Sequence, residues 1–135
     1  MKMMHEWVKK YIGIPFVSNG RGKEGCDCYG LVRLVLSEEY GITLPELSGR
    51  YADALNLAET ERLFDECLPA LAAEKLPGPE EAAVAVITER GAPAHLGIAA
   101  GGGWILHAGA KTGSACQRAS HPGLRGRIEG YYRVR

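Results

Sequence analysis

The sequence predicts an α+β fold in which N-terminal helices precede an antiparallel sheet of about five strands and pack on it. In the first half of the chain, apolar residues recur at helical spacing. After the Pro-Gly-Pro break at residues 77–79 the pattern changes to short apolar runs typical of strands. The triple glycine 101–103 then separates two of these runs, as a hairpin turn would. Helices followed by consecutive strands are typical of the α+β class.

Two helices are predicted before the break, and a third segment has the same periodicity. Residues 3–11 form a short amphipathic pattern that ends before Gly13, and residues 27–40 form a more apolar one that ends at Gly41. Residues 52–75 are again helical by pattern, with Pro69 as a break or kink and Cys67 as a core residue.

Five strands are predicted after the break, at residues 82–88, 95–100, 104–108, 114–118 and 128–134. The chain has 135 residues, of which 46% are hydrophobic, enough for one domain with a core of its own. We therefore predict a single domain over residues 1–135, mainly helical to residue 75 and mainly β from residue 76.

The charge balance excludes several classes of partner. Sixteen Lys and Arg residues balance sixteen Asp and Glu residues, so no nucleic acid or anionic membrane is expected as a partner. No apolar run is long enough for a spanning helix or a signal peptide. The sequence thus predicts a soluble chain synthesised in the cytoplasm, without membrane insertion.

The cysteines do not indicate a disulfide scaffold or a structural metal site. Four cysteines in a chain of this size are few for a disulfide framework. A single residue separates Cys26 from Cys28, where zinc sites usually have two. We expect no metal and no cofactor. The alternative is a metal-binding domain that uses Cys26, Cys28, His95 and His107.

Cys28 is the candidate nucleophile. Asp27 is a good N-cap residue, which places Cys28 in the first turn of the predicted helix 27–40. Free amides and the positive end of the helix dipole there favour an anion, so the position predicts a lowered thiol pKa and a reactive thiolate. The alternative is a cysteine that packs as a small hydrophobic residue.

Two histidines are the candidate partners of this thiol. His95 is expected to open one strand, and His107 to end the next strand twelve residues later. Pairing about the glycine turn would bring both imidazoles to one face at the same end of the sheet. One imidazole can then take the thiol proton while the other orients it. The alternative is a pair of half-buried strand histidines without a chemical role.

Three segments together resemble a known family. Gly25-Cys-Asp-Cys-Tyr-Gly-Leu-Val32, His95-Leu-Gly-Ile98 and Ile105-Leu-His-Ala108 are similar, in order and spacing, to the motifs of the NlpC family of papain-like cell-wall cysteine peptidases. The resemblance extends from Tyr11 to Arg133.

The resemblance implies a papain-like fold and assigns roles to three residues: Cys28 as nucleophile, His95 as general base and His107 as the residue that orients it. It also implies a backbone oxyanion hole that includes the Cys28 amide. Tyr29 and Asp27 are the candidate substrate-binding or oxyanion-site residues. The implied substrate is a peptidoglycan stem peptide, most typically at its γ-D-glutamyl to diamino-acid bond.

Tyr29 departs from the family pattern, which usually has serine after the nucleophile. Together with Arg33 and the ending Gly130-Tyr-Tyr-Arg133, it resembles the branch encoded with phage tail genes. That branch implies action at the cell wall as part of a phage tail, with tail proteins as possible partners. Tyr29 either lines the substrate cleft or packs against its neighbours. The alternative function is a catalytically silent tail-assembly module with the same fold.

Overall fold

The computed structural model describes residues 3–47, 74–89 and 91–134, together with the single positions 59, 62 and 66. Apart from those three positions and its last two residues, the predicted helical segment 52–75 lies outside the described residues, and so does Cys67. In the part of the chain that the structure describes, no helix is long and apolar enough to cross a membrane.

Most of the described residues in regular secondary structure belong to antiparallel β-strands, on which the helix Cys28–Tyr40 packs. The elements are a 3-10 helix (Glu6–Tyr11), β1 (Arg21–Gly22), β2 (Gly25–Cys26), α1 (Cys28–Tyr40), β3 (Glu74–Leu76), β4 (Val84–Glu89), β5 (Ala92–Gly101), β6 (Trp104–Gly109), β7 (Gly113–Arg118) and β8 (Ile128–Arg133). Strands β1 and β2 form a short hairpin, and the main sheet has the order β3-β8-β4-β5-β6-β7.

The main sheet has six strands, so the prediction of about five was one too few. The additional strand, β3, lies at the end of the segment predicted to be helical and pairs antiparallel with β8, with Lys75 opposite Tyr132. Three residues are too short to show strand alternation in the sequence. Strand β3 is formed by pairing with residues almost sixty positions away, which local periodicity does not report.

The helix α1 begins at Cys28 and ends before Gly41, whose φ of 66° is the left-handed conformation that commonly closes a helix. One face of α1 is fully buried and packs on the central strands β5 and β6. The residues that form this contact are Leu31, Val32, Val35 and Leu36 on the helix and Leu96, Ile98 and Leu106 on the strands. This burial fixes the first turn of α1 above the middle of the sheet.

Gly30 allows a loop to approach that first turn. A Cβ atom at Gly30 would lie 2.0 Å from the carbonyl oxygen of Gly20, so no larger residue fits without moving the loop. The loop that precedes α1 is therefore packed directly against the helix start that carries Cys28.

The predicted glycine hairpin is confirmed. Gly101 pairs with Trp104, and Gly102 and Gly103 form the two-residue turn with φ of 63° and 84°. Positive φ at both turn positions is what a tight hairpin of this twist requires.

Strand β5 begins at Ala92, three residues before the predicted start at His95. A register shift in β4 between Ile87 and Thr88 lets Pro93 join the sheet opposite Thr88. Proline is tolerated in strands at such irregularities. The predicted helix 3–11 is also shorter than expected, because only Glu6–Tyr11 are helical and Met4 is exposed.

Candidate active site

Three polar side chains lie on one face of the strands β5, β6 and β7. His107 pairs with Gly97 on one side and with Ala115 on the other. His95 is two residues from Gly97, and Gln117 is two residues from Ala115, so strand alternation keeps both on the face of His107. His95 and Gln117 are thus diagonal neighbours of the central histidine.

These three side chains form a hydrogen-bonded chain. Nε2 of His95 lies 3.0 Å from Nδ1 of His107, and Nε2 of His107 lies 2.7 Å from Oε1 of Gln117. Because the Gln117 oxygen accepts, His107 donates from Nε2 and, when neutral, accepts at Nδ1. His95 then donates from Nε2 and keeps an unprotonated Nδ1, which is the atom that a general base needs.

Gly97 makes room for this arrangement. A Cβ atom at Gly97 would lie 2.7 Å from Cγ2 of Ile105 and 3.3 Å from Cβ of His107. A side chain at this position would push His107 away from the strand that carries His95. The glycine in the segment His95-Leu-Gly-Ile98 therefore has a packing reason in this chain.

Cys28 and both histidines line the same cavity, which has a volume of about 340 Å³. Other residues that line it include Phe16, Gln117, Leu124 and Arg127. The structure therefore brings together the predicted nucleophile, base and orienting residue, which lie as far as 79 positions apart in sequence.

The four residues of the metal-binding alternative are not brought together. Cys26 is fully buried in the core beneath α1 and lies outside the lining of the cavity. Among the described residues, no group of three or more His, Cys, Asp or Glu side chains is arranged to hold a metal ion.

The local electrostatics favour neutral groups in the cavity. Burial, with the Asp27 charge as a second cause, raises the pKa of the Cys28 thiol to about 12, against smaller opposing effects of backbone hydrogen bonds from Leu96 and Tyr29. Burial also lowers the pKa of His95 to about 3, assisted by His107 and Arg127. At neutral pH the resting pair is therefore a thiol and a neutral imidazole.

This result differs from the lowered thiol pKa expected at a helix start. The helix terminus favours an anion, but burial removes the water around a lone thiolate. This desolvation destabilises the thiolate more than the helix dipole stabilises it. Burial likewise lowers the pKa of His107, although its hydrogen bond to Gln117 acts in the opposite direction.

A pH prediction follows for alkylation of Cys28 by iodoacetamide. With a thiol pKa of about 12 and a His95 pKa of about 3, neither group changes its protonation over the usual assay range. Since His95 removes the proton during attack, the rate should stay flat from about pH 5.5 to about pH 9. In a His95→Gln protein, the rate should instead rise about tenfold per pH unit, because only the rare thiolate reacts.

Mass spectrometry of the alkylated peptide measures this rate, and Cys116 is the internal control. Burial raises the Cys116 pKa to about 11, and no histidine assists it, so its rate should rise with pH in both proteins. A wild-type Cys28 curve with a midpoint inside the assay range would contradict the neutral resting pair.

Comparison with known proteins identifies the family of the chain. The sequence profile described as "NlpC/P60 family" matches residues 13–133. The chain belongs to the NlpC/P60 family. Members of this family are generally cysteine peptidases that act on peptidoglycan. No curated protein matches the chain.

Solved NlpC/P60 structures have the same fold. The NlpC/p60 domain of the peptidoglycan hydrolase SagA is 19% identical, with a TM-score of 0.62 over 93% of this chain and 92% of that one. An NlpC/P60 family protein from Bacillus cereus gives 20% identity and a TM-score of 0.65, over 93% of this chain and 37% of that one. A lipoprotein-like NLP/P60 protein from Staphylococcus aureus gives 21% and 0.63, over 93% and 38%. The last two proteins are thus more than twice as long as this chain.

In this NlpC/P60 domain, the Asp27 carboxylate accepts hydrogen bonds from neighbouring protein groups. The residue is fully buried, and one carboxylate oxygen accepts from the Gly30 amide at 2.8 Å and from Arg21 at 3.1 Å. The second oxygen accepts from the Asn19 amide at 2.8 Å. We expected Asp27 to contact the substrate or the oxyanion. Its carboxylate oxygens instead accept hydrogen bonds inside the protein, so the residue is not placed for that role. Its position makes it an N-cap that fixes the helix start next to Cys28.

Tyr29 also lies outside the set of described residues that line the cavity. Its ring lies against the Arg21 guanidinium, and its hydroxyl donates to the Pro45 carbonyl. The carbonyls on either side of Pro45 also accept from arginines: that of Leu44 accepts from Arg33, and that of Glu46 accepts from Arg21. Of the two roles considered for Tyr29, packing is the one these contacts support.

Two further residues near the NlpC/P60 motifs line the cavity, and the first of them, Gln117, was not predicted from the sequence. Gln117 belongs to a predicted strand, and pairing that strand with residues 104–108 would have placed it diagonally from His107. Arg127 lies in the short segment before β8 and lines the cavity with the histidines. No local pattern singles it out, because its position depends on contacts with β4.

Proposed function

We propose that this chain is a cysteine peptidase that hydrolyses an amide bond in peptidoglycan stem peptides. The observation that carries the proposal is the shared cavity of Cys28 and His95, in which hydrogen bonds to His107 and Gln117 leave the His95 Nδ1 atom as a base. Membership of the NlpC/P60 family supports the choice of substrate class.

In the first half of the reaction, the Cys28 sulfur attacks the amide carbonyl carbon and Nδ1 of His95 takes the thiol proton. The resulting imidazolium donates from Nε2 to His107, so its charge is spread along the hydrogen-bonded chain. The carbon–nitrogen bond then breaks, and His95 returns the proton to the leaving amine. The product of this half is a thioester between Cys28 and the acyl part of the peptide.

In the second half, water attacks the thioester carbonyl while His95 takes one of its protons. The carbon–sulfur bond breaks, the thiol is regenerated with that proton, and the carboxylic acid product leaves. The backbone N–H of Cys28 is in the first turn of α1, where amides have no intrahelical acceptor. It lies next to the sulfur and is our candidate donor to the oxyanion in both halves.

The resting pKa values are compatible with this cycle. A lone thiolate or a lone imidazolium is disfavoured in the cavity because burial removes its water. Transfer of a proton between the two groups creates both charges together, and their mutual attraction offsets much of that cost. Proton transfer is therefore expected during attack on the substrate and not before it.

The finer proposal is cleavage of the γ-D-glutamyl to diamino-acid bond. Purified protein is incubated with soluble muropeptides, and the products are identified by liquid chromatography and mass spectrometry. We expect two products whose masses add up to the substrate plus one water, one of which carries a new amino group on the diamino acid. Products cut within the glycan chain, or no products from any muropeptide, would contradict the proposal.

The proposed association with a phage tail rests on the residues at positions 29, 33 and 130–133 alone. Its support is the resemblance of Tyr29, Arg33 and the Gly-Tyr-Tyr-Arg ending to the tail-encoded branch. If the chain were instead a silent tail-assembly module, the muropeptide assay would yield no products from a protein that is folded.

A further inference from the structure

Arg127 is held rigidly at the wall of the cavity. Its Nε donates to the Thr88 carbonyl at 2.9 Å, and its Nη1 donates to the Gly123 carbonyl at 2.7 Å. The backbone is fixed as well, since the Arg127 carbonyl accepts from the Thr88 amide at 2.7 Å. The guanidinium plane therefore has one orientation before any ligand arrives.

The third guanidinium nitrogen, Nη2, has a weaker contact. It lies 3.9 Å from Oε1 of Glu89, which is too long for a hydrogen bond, and the two side chains are 41% and 60% exposed. An exposed ion pair at this distance contributes little and exchanges readily. A carboxylate from a ligand could take the position opposite Nη2 at small cost.

The charges in the cavity support replacement of the Glu89 carboxylate by a ligand carboxylate. With the thiol and both imidazoles neutral at pH 7, Glu89 and Arg127 are the charged side chains among the described residues that line it. Glu89 is the more exposed of the two, so its carboxylate can turn to solvent while Arg127 stays in place.

We infer that Arg127 binds a free carboxylate of the peptide substrate and selects peptides that carry one beside the scissile amide. This inference deepens the proposed function and rests on it. An arginine with two of its nitrogens fixed to backbone carbonyls presents Nη2 in a set direction, which suits recognition of a carboxylate better than a mobile lysine would.

The same contact connects recognition to chemistry. The positive charge of Arg127 is among the causes that lower the pKa values of His95 and His107. A substrate carboxylate on Arg127 offsets that charge and makes it easier for His95 to accept the thiol proton. A substrate without the carboxylate should therefore lose kcat as well as affinity.

The test uses the tripeptide L-Ala–γ-D-Glu–diamino acid and two analogues, each with one of its free α-carboxyl groups converted to a carboxamide. Charge-assisted hydrogen bonds predict that at least one analogue is cleaved about tenfold less efficiently than the parent, measured as kcat/KM. In Arg127→Gln, this difference should fall to within about twofold. Arg125→Gln is the matched control, since Arg125 is exposed and lies outside the cavity lining.

A second variant keeps the test valid if Arg127→Gln does not fold. Glu89→Gln removes the competing carboxylate, so the preference for the acid peptide should increase. An unchanged acid-to-amide ratio in a folded Arg127→Gln protein, or a lower ratio in Glu89→Gln, would overturn the inference.

Binding separates this inference from the proposed function. The Cys28→Ala protein binds without turnover, and calorimetry with the same three peptides reports the acid preference directly. Tighter binding of the acid peptide, lost in Cys28→Ala/Arg127→Gln, supports the role of Arg127 even if the wild-type protein cleaves nothing. Equal binding of all three peptides overturns it, whatever the result of the cleavage assay.

Discussion

Cys28→Ala is expected to abolish amide hydrolysis while the protein remains folded. Removal of a nucleophile from a cysteine–histidine site costs about 10⁴-fold or more in rate, since no other group can form the acyl intermediate. Alanine fits the site because it is smaller than cysteine and a good helix former. Initial rates on muropeptides, followed by mass spectrometry, measure the loss.

Two variants control for effects other than loss of the thiol. Cys116→Ala removes a half-buried thiol from the neighbouring strand β7 and should retain full activity. Cys28→Ser replaces the thiol with a hydroxyl of similar size but should be nearly inactive, because a buried hydroxyl with a weak base is a far poorer nucleophile than a thiol. Wild-type rates in Cys28→Ala would rule out covalent catalysis by this residue.

The relation between sequence and structure is clearest at the histidine pair. Two strand-like runs and three glycines were enough to predict the β5–β6 hairpin, and alternation then placed His95 and His107 on one face. The contact between their rings also requires the register shift between Ala99 and Gly101, which places His107 opposite Gly97 and not opposite Ile98. Gln117 follows from the same reasoning applied to one further strand, β7.

Features that depend on distant parts of the chain were not predictable. Strand β3 is formed by pairing with β8, and its three residues carry no pattern of their own. The raised pKa of Cys28 results from burial by elements that lie elsewhere in the sequence, whereas the helix start alone indicated a lowered one. Tyr29 was ambiguous for the same reason, because its role depends on the carbonyl of Pro45.

Asp27→Ala is expected to have the largest effect on stability. The carboxylate accepts from two backbone amides and forms an ion pair with Arg21, whose side chain is 11% exposed. Removal takes the Asp27 charge away from the Arg21 guanidinium and takes this acceptor away from the Gly30 and Asn19 amides. Breaking a buried pair in this way costs about 3–5 kcal/mol in the free energy of unfolding, measured by denaturation in guanidinium chloride.

Asp27→Asn separates the contribution of the N-cap hydrogen bond from that of the negative charge. Asparagine is as good an N-cap as aspartate and can still accept from the Gly30 amide, but it provides no counter-charge for Arg21. Its loss of stability should therefore be smaller than that of Asp27→Ala, and the difference between the two measures the capping bond. Because the Asp27 charge raises the pKa of the Cys28 thiol, Asp27→Asn, which keeps the cap and removes the charge, should not slow alkylation of Cys28. If Asp27→Ala unfolded within about 0.5 kcal/mol of the wild-type protein, the buried ion pair would not hold this helix in place.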